Sequence, residues 1–430
     1  MEHYRYENGP QGIAPEELNA AIEASLEGRT LRKVLLIPPD FTRLNSGCGP
    51  ITNRYYHLLT SRGCAVDVLP ALGTHQPLTR EEAEVMFGDI PWERFLVHDW
   101  RHDVVRLGEV PGTFLAEKSG GIWTEPIDVE VNRRVMDSSY DLIISLGQVV
   151  PHVVVGMANH AKNLFVGVGG SDMINKSHML GALYGPERIL GRDHTPVREL
   201  FDYAYEHFLA DRPILFVLTV CTVPDGVHRM HGVFFSESRA GLEAAIALAQ
   251  RHNMTFLPRG LKKCVAYLDP EEFKSTWLGN KALFRTCMAM EPGGELIILA
   301  KGLRMFGEDT AIDALLRKYG YHERKKLMEA FEKPENCDLR ENMGAAAHML
   351  QSAVEGRFRV IYAVEPDMIE PVRAMGYEAV TYEQAAQRYD PTVLRPGFQT
   401  MPDGEEIYYI PNPAIGLWVD TGRFEMERKS

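Results

Sequence analysis

Short apolar runs alternate with amphipathic stretches through the first half of the chain. The segments 51–63 and 79–88 have the spacing of surface helices. Alternation of this kind predicts βαβ units and a mostly parallel sheet. The runs that predict strands are 33–37, 65–72, 95–99, 140–147 and 213–223.

The second half of the chain repeats the pattern. Strands are predicted at 264–268, 295–300 and 358–364, with Pro292-Gly293-Gly294 as a turn before the second of them. Helices are predicted at 238–251, 280–290, 309–355 and 366–375. The fold class is therefore α/β, with two domains of mostly parallel sheet and an active site expected in the cleft between them.

The predicted domain boundary follows Pro258-Arg259-Gly260. We expect an N-terminal α/β domain over 1–262 that carries catalysis and cofactor binding. A C-terminal α/β domain is expected over 263–395. The tail 396–430 is predicted to pack back onto the first domain.

Composition narrows the function classes. The 430 residues carry a net charge of −13, which argues against a nucleic-acid or anionic-membrane partner. No apolar run reaches the roughly 18–20 residues of a membrane span, and the first residues lack the pattern of a secretory signal. Six scattered cysteines without a CxxC pair indicate reduced thiols in a cytoplasm and exclude a structural zinc ribbon.

Polar side chains follow several of the predicted strands in the first half. Asp40 and Arg43 come after the first strand, His75 after the second, and His152 after the fourth. Ligands of open α/β sheets bind beyond the carboxyl ends of the strands, so these loops are expected to converge. An aspartate after a strand is often only a helix cap, and a single histidine is more often structural. Convergence of four such residues favours a site.

The residue types suit proton transfer on an anionic substrate. Two histidines on separate loops can flank one carbon and exchange protons near neutral pH, as racemisation or epimerisation requires. Arg43 offers a planar fork for a carboxylate, and Asp40 can orient that fork or a histidine. Lys162 is a candidate Schiff-base amine, anion binder or covalent anchor. His178 is a candidate metal ligand; an exposed helix is the alternative for both.

Standard catalytic motifs are absent from the sequence. It contains no HExxH, no Walker-A loop and no GxSxG elbow. The glycine-rich stretch 167–172 is not GxGxxG and follows a predicted helix. Its Gly169 and Gly170 are candidate cofactor-binding positions whose backbone N–H groups would face a phosphate. The alternative is a tight connection between two helices.

Three motifs together resemble the lactate racemase family, the nickel-pincer-dependent 2-hydroxyacid racemases and epimerases. The stretch 40-DFTR-43 matches the family's D-x-T-R, and 73-GTHQPLT-79 matches its G-x-H-x-x-x-T loop. The spacing of His152, Lys162 and His178 matches the family's histidine, cofactor-bearing lysine and nickel-binding histidine. A weaker match places Lys281, before the Pro-Gly-Gly turn, at a substrate-binding lysine. The resemblance covers most of the chain.

The resemblance implies a cofactor that composition does not disclose. It is a pyridinium-3-thioamide-5-thiocarboxylic acid mononucleotide that holds nickel between two sulfurs and a carbon. It would be covalent on Lys162, with His178 completing the metal's square plane. Enzymes that synthesise this cofactor are implied partners.

The implied reaction inverts carbon 2 of a 2-hydroxycarboxylic acid. Hydride would pass to the cofactor while His75 or His152 takes the hydroxyl proton, through a bound 2-keto acid. Arg43 and Lys281 would hold the carboxylate or carbonyl oxygen, and Asp40 would support the site.

Three positions depart from the family pattern. Gln76 stands where many relatives have a basic residue, and Asn159 and His160 stand where many have a Gly-Gly pair. Gln76 is predicted to contact the substrate, and Asn159 and His160 the cofactor. These polar groups favour a longer, hydroxylated acid such as a gluconate-type sugar acid over lactate. The alternatives are a redox enzyme or metal-dependent hydrolase on the same scaffold, or a non-catalytic binding protein for a hydroxy acid or a nucleotide.

Overall fold

The structure is a computed structural model that describes residues 4–7, 11–414 and 416–426. The chain divides into two compact units. Unit 1 comprises Met1–Ser177 and Leu190–Asn253, and unit 2 comprises His178–Ile189 and Met254–Ser430. The predicted division near residue 262 therefore falls nine residues late, since unit 1 ends at Asn253.

Unit 1 is built on a six-stranded sheet. The strands of unit 1 are β1 Tyr4–Glu7, β2 Lys33–Ile37, β3 Ala65–Val68, β4 Val104–Val110, β5 Ile127–Asn132, β6 Leu142–Gln148, β7 Pro151–His152, β8 Gly156–Met157, β9 Ile214–Thr222 and β10 Arg229–Ser236. Strands β4 and β5, and strands β7 and β8, form separate two-stranded sheets. The sheet order is β1-β10-β9-β6-β2-β3. The four strands from β9 to β3 are parallel, and β10 and β1 are antiparallel additions.

Helices lie between and after these strands along the chain up to Asn253. They are α1 Pro15–Ala24, α2 Cys48–Ser61, α3 Arg80–Phe87, α4 Gly112–Ser119, α5 Arg133–Met136, α6 Ser171–Tyr184, α7 Pro186–Ile189, α8 Pro196–Phe208 and α9 Arg239–Asn253. Apolar residues of β2 and β6, among them Leu36 and Ile144, pack with Ile51 and Tyr55 of α2 in one buried core. Helix α6 runs past the division, so its residues from His178 onward and all of α7 belong to unit 2.

Unit 2 repeats the architecture with a second six-stranded sheet. The strands of unit 2 are β11 Thr255–Leu257, β12 Leu261–Tyr267, β13 Met290–Leu299, β14 Arg359–Val364, β15 Glu378–Thr381, β16 Gly397–Thr400, β17 Glu406–Ile410 and β18 Trp418–Asp420. Strands β11 and β18 form a separate two-stranded sheet. The order is β15-β14-β13-β12-β17-β16, with only β16 antiparallel. The helices are α10 Thr276–Gly279, α11 Lys281–Thr286, α12 Thr310–Tyr319, α13 Arg324–Glu332, α14 Cys337–Glu341, α15 Met343–Ser352, α16 Ile369–Ala374, α17 Tyr382–Arg388 and α18 Thr421–Met426.

The fold class is confirmed, with corrections to several elements. The tail predicted to return to the first domain belongs to unit 2, because β17 completes that sheet beside β12; its last residues, 427–430, lie outside the described ranges. The strand predicted at 95–99 is wrong, since only Phe95 forms an isolated bridge to Val68. The Pro-Gly-Gly turn lies inside β13, where the pairing with β12 shifts register.

Candidate active site

Asp40 lies immediately beyond β2, where the chain leaves the unit 1 sheet. It precedes a 3-10 helix over Phe41–Ser46 and is 5% exposed. Its Oδ1 accepts a hydrogen bond of 2.6 Å from Thr42 Oγ1. Its Oδ2 pairs with His75 Nδ1. The aspartate therefore joins the loops that follow β2 and β3.

Parallel pairing of β2 with β3 accounts for this meeting. The register continues past the strands as a bridge between Pro39 and Ala71, so the two loops run side by side. Gly73 then turns the chain with φ +57°, and its N–H donates to Gly167 O at 2.8 Å. A residue with a Cβ would be strained at that φ. The predicted meeting of Asp40 and His75 at one edge is thus observed.

The pKa of Asp40 is lowered. Burial alone would raise it, but the hydrogen bonds from His75 and Thr42 and the charges of His75 and Arg43 outweigh burial. The carboxyl is therefore ionised at neutral pH and accepts a hydrogen bond from His75 Nδ1–H. This fixes the histidine's tautomer and leaves Nε2 with the lone pair when the ring is neutral.

His152 lies in a small hairpin after β6, formed by β7 and β8. Its Nδ1 accepts a hydrogen bond of 3.1 Å from the backbone N–H of Val154. In the neutral ring the hydrogen consequently sits on Nε2, opposite to the arrangement in His75.

Two consecutive residues after the hairpin adopt left-handed backbone. Asn159 has φ +74° and His160 has φ +61°. The Asn159 Oδ1 accepts a hydrogen bond of 2.8 Å from the His160 N–H. The Asn159 amide packs against Gly147 so closely that a Cβ on Gly147 would lie 1.4 Å from Asn159 Nδ2. Left-handed conformations are uncommon outside glycine and concentrate at functional sites.

The His160 ring points into the core of unit 1. It is 2% exposed and stacks on Phe216 at 3.9 Å between centroids, with Tyr205 at 5.8 Å. Burial, with the charges of Arg198 and Arg239, lowers the pKa of His160 well below its usual value. The imidazole packs against the rings of Phe216 and Tyr205, and its predicted cofactor contact stays a prediction.

Lys162 follows the left-handed pair and opens a π-helical turn over Asn163–Gly167. Asn163 fixes this turn to the sheet, since its Nδ2 donates to Ile37 O at 3.2 Å and to Ser145 Oγ at 3.0 Å. Single π turns of this kind are frequent at functional sites. Lys162 therefore leaves from the carboxyl edge of β2 and β6, the edge that carries Asp40.

The amine of Lys162 is strongly perturbed. Burial is the largest cause, and the positive charges of Arg43 and Arg198 add to it, while Asp40 opposes them. Together they lower its pKa from 10.5 to about 7. A large part of the amine is then unprotonated at neutral pH, which is the form that attacks an electrophile.

The glycines before α6 serve close packing. A Cβ on Gly169 would lie 1.8 Å from Phe165 O, and one on Gly170 would lie 2.1 Å from the Glu130 carboxylate. A carboxylate there disfavours the predicted phosphate contact. The alternative of a tight connection therefore accounts for both glycines.

The remaining candidates lie on several elements. Arg43 and Gln76 are exposed on the loops after β2 and β3. His178 is partly buried on the part of α6 that belongs to unit 2. Lys281 begins α11 in unit 2, with its amine 5.8 Å from the Phe273 ring centroid. Their predicted roles stay predictions.

Arg198 was missed by sequence reasoning. It lies on α8, whose alternating polar residues look like a solvated face, yet the side chain is fully buried. Its Nη2 donates to Met157 O at 2.7 Å and to Asn159 O at 3.2 Å. Only the tertiary structure reveals this contact, because no local sequence signal distinguishes a buried arginine from an exposed one.

Two negative findings concern the described ranges. Within them, no group of three or more His, Cys, Asp or Glu side chains is placed to hold a metal ion. Among the helices of residues 4–7, 11–414 and 416–426, none combines the length and apolar character of a membrane crossing.

The structure is that of an α/β protein with two units. In unit 1, the acid–base side chains Asp40, His75 and Lys162 lie beyond the carboxyl ends of the parallel strands. Residues 16–191 match the family described as the lactate racemase N-terminal domain. A lactate racemase from Thermoanaerobacterium thermosaccharolyticum is 25% identical over 183 residues, 41% of this chain and 38% of that protein. The alignment therefore spans well under half of that relative's length.

Solved structures share the fold over nearly the whole chain. A crystal structure of a Thermotoga maritima protein matches with a TM-score of 0.75 and 20% identity, over 96% of this chain and 99% of that one. The lactate racemase apoprotein from T. thermosaccharolyticum matches with a TM-score of 0.67 and 16% identity, over 93% and 92%. Residues 16–191 thus match the lactate racemase N-terminal domain family, and the resemblance to lactate racemases is confirmed.

Proposed function

We propose that the protein is a racemase or epimerase that inverts carbon 2 of a 2-hydroxycarboxylic acid with a nickel-pincer nucleotide. The observation that carries the proposal is the Asp40–His75 pair at the sheet edge from which the perturbed Lys162 also departs. The family match over residues 16–191 supports racemase chemistry on a hydroxy acid.

His75 is the base of the proposed reaction. Asp40 holds its Nδ1–H, so Nε2 accepts the proton of the substrate hydroxyl and the ionised Asp40 stabilises the resulting imidazolium. His152 has the complementary tautomer, because the Val154 N–H occupies its Nδ1. Its Nε2–H then donates a hydrogen bond to a substrate oxygen.

Three further residues are proposed to bind the substrate anion. Arg43 presents its guanidinium on the loop after β2 as a partner for the carboxylate. Lys281 adds a second positive charge, and Gln76 adds an amide for a further hydroxyl. The net charge of −13 makes such local positive groups necessary for an anionic substrate.

Lys162 fits the covalent anchor of the cofactor. A pKa of about 7 leaves unprotonated amine at neutral pH. That amine would bond to a thiocarboxyl carbon of the cofactor, while the lysine proton and the group that activates this carbon leave. When bound, the cofactor supplies the acceptor for the α-hydrogen as a hydride. The residues around it orient the hydroxy acid and move the hydroxyl proton.

His178 is the proposed metal ligand. One imidazole fits a metal whose other donors come from a sulfur-bearing organic group, as Ni(II) accepts in planar geometry. The other donors would come from the cofactor, so the protein would supply this one imidazole. Cofactor-synthesis enzymes are proposed partners, and the six free cysteines support a reducing, cytoplasmic location.

The preference for a sugar acid over lactate has less support from the structure than from the sequence. Asn159 and His160 were expected to favour a hydroxylated sugar acid, but one packs on Gly147 and the other on Phe216. Gln76 alone remains available for a polar extension of the substrate. A gluconate-type acid therefore stands beside lactate as a candidate.

The test is inversion of carbon 2 by the cofactor-loaded protein. A panel from lactate and malate to gluconate-type acids would be resolved by chiral or epimer-resolving chromatography. Inversion of any member is the expected result. If no member is inverted while Lys162 is modified and nickel is bound, a different reaction on this scaffold replaces the proposal.

A further inference from the structure

Arg198 is a buried cation that the proposed reaction does not itself use. Its side chain has 0% exposure, and its nearest acidic group, Asp202 Oδ1, lies 3.8 Å from Nη1. Burying a guanidinium is costly unless hydrogen bonds and opposite charges compensate it. Such a cost at this position calls for a function in the surrounding structure.

The guanidinium holds the backbone that leads to Lys162. Nη2 donates to the carbonyls of Met157 and Asn159, at the start of the left-handed pair. Asn159 and His160 are not glycines, so their conformation persists only where the surroundings fix it. Without this contact the turn can relax, and the direction in which Lys162 departs changes with it.

An ionic network holds Arg198 in place. Asp202 Oδ2 accepts a hydrogen bond of 2.8 Å from Arg239 Nε, and Arg239 Nη2 also donates to Asp193 Oδ1 at 2.6 Å. Asp202 is therefore divided between two arginines and only partly neutralises Arg198. The positive charge of Arg198 acts on Lys162, together with that of Arg43 and against that of Asp40.

We propose that Arg198 is a positioning residue for Lys162: its hydrogen bonds to Met157 O and Asn159 O fix the left-handed turn that precedes Lys162, and its positive charge acts on the Lys162 amine. The attachment role of that amine rests on the proposed function. The effect of Arg198 on amine reactivity does not, so the two can fail separately.

The test measures the amine directly in the chain purified without cofactor. Competitive acetylation with trace acetic anhydride, read by peptide mass spectrometry across pH, gives the midpoint at which Lys162 becomes reactive. Arg198→Met is expected to raise that midpoint by about one pH unit, or about tenfold lower reactivity at pH 7. Arg198→Lys keeps the charge and is expected to keep most of the low midpoint.

Arg212 supplies a matched control. Its Nε and Nη2 also donate to backbone carbonyls, those of Val135 at 3.0 Å and Asp137 at 2.9 Å. It is not among the groups that shift the Lys162 pKa. Arg212→Met is therefore expected to leave the Lys162 midpoint unchanged while removing the same kind of contact.

A folded Arg198→Met protein with the wild-type midpoint would overturn the inference. If that variant does not fold, Arg198→Gln decides, because its amide can still donate to the carbonyls while the positive charge is lost, and a raised midpoint is expected. An unchanged or lower midpoint in folded Arg198→Gln would then contradict the inference. If no hydroxy acid of the panel is inverted but the acetylation midpoint of Lys162 rises in Arg198→Met, only the proposed function is rejected.

Discussion

The two units bury polar groups in different ways. In unit 1 the buried or partly buried groups at the sheet edge are ionisable: Asp40, Lys162 and Arg198. In unit 2 the hydrogen-bond network around Asn280 is neutral, and the largely buried Glu187 is paired with Arg324 at 3.2 Å. Asn280 Oδ1 accepts from Tyr362 OH at 2.7 Å, and its Nδ2 donates to Ser352 Oγ at 2.9 Å.

The difference separates chemistry from scaffolding. A neutral network whose members are satisfied rigidifies a core at moderate cost, and burial even lowers the pKa of His348 to about 3, so that ring is neutral too. Buried charges cost more and shift pKa values, which is the arrangement that reactive groups require. By this criterion Asp40 and Lys162 of unit 1 are the most perturbed of the proposed site groups, whereas the candidates His178 and Lys281 lie in unit 2.

The largest effect is expected at the Asp40–His75 pair. His75→Asn removes the proposed base and should lower kcat of the loaded protein by about 10²–10⁴. His57 and Asp89 form a similar pair at 2.8 Å on exposed side chains. His57→Asn should therefore leave kcat unchanged. Equal rates for wild type and His75→Asn would remove the catalytic assignment.

Lys162 should reduce the stability of unit 1. Its pKa is about 7 in the folded state against 10.5 ordinarily, so folding disfavours the protonated amine. The penalty is complete below pH 7, fades as the pH rises, and vanishes above the ordinary value. A fall of that size corresponds to at most about 5 kcal/mol, before discounting for partial solvent contact.

Lys162→Met should consequently raise the free energy of unfolding, most clearly at pH 6. The gain should shrink toward pH 10, as measured by denaturant titration at both pH values. Lys118→Met is the control, because Lys118 pairs only loosely with Glu117 at 3.6 Å; a change within about 0.5 kcal/mol is expected there. A pH-independent gain in Lys162→Met would show that burial of its charge is not the cause.

A smaller effect is expected in the neutral network of unit 2. Tyr377→Phe removes the hydroxyl that accepts from Asn280 Nδ2 and donates to Ser352 O, both at 3.2 Å. Leaving these groups short of a partner should cost about 1–3 kcal/mol in the unfolding of unit 2. The acetylation midpoint of Lys162 should stay at its wild-type value. A shifted midpoint would contradict the division of roles between the units.

The sequence predicted the elements whose signal is local. Strands such as Lys33–Ile37 and Leu142–Gln148 are nearly continuous apolar runs, and the edge rule brought Asp40 and His75 together. The run at 95–99 failed because its apolar residues continue the chain beside β3 without a ladder. The sequence analysis did not predict the two-stranded ribbon of β4 and β5, although β5 alternates apolar and polar residues.

The rest depends on contacts between distant residues. The sequence predicts Asn159 and His160 as additional polar groups near a ligand. In the structure the Asn159 side chain packs against Gly147 and the His160 ring stacks on Phe216. Arg198 lies 36 positions after Lys162 on an ordinary amphipathic helix. Neither the left-handed backbone of Asn159 and His160 nor the buried Arg198 that holds it has a local sequence pattern that a single sequence can show.

The most direct test of the central claim is the covalent state of Lys162 in protein produced with the cofactor-synthesis enzymes. Intact mass and peptide mapping should place an adduct on Lys162, and Lys162→Ala should lose both the adduct and the inversion of carbon 2 while staying folded. Full inversion activity with Lys162 unmodified, or with alanine in its place, would contradict the account.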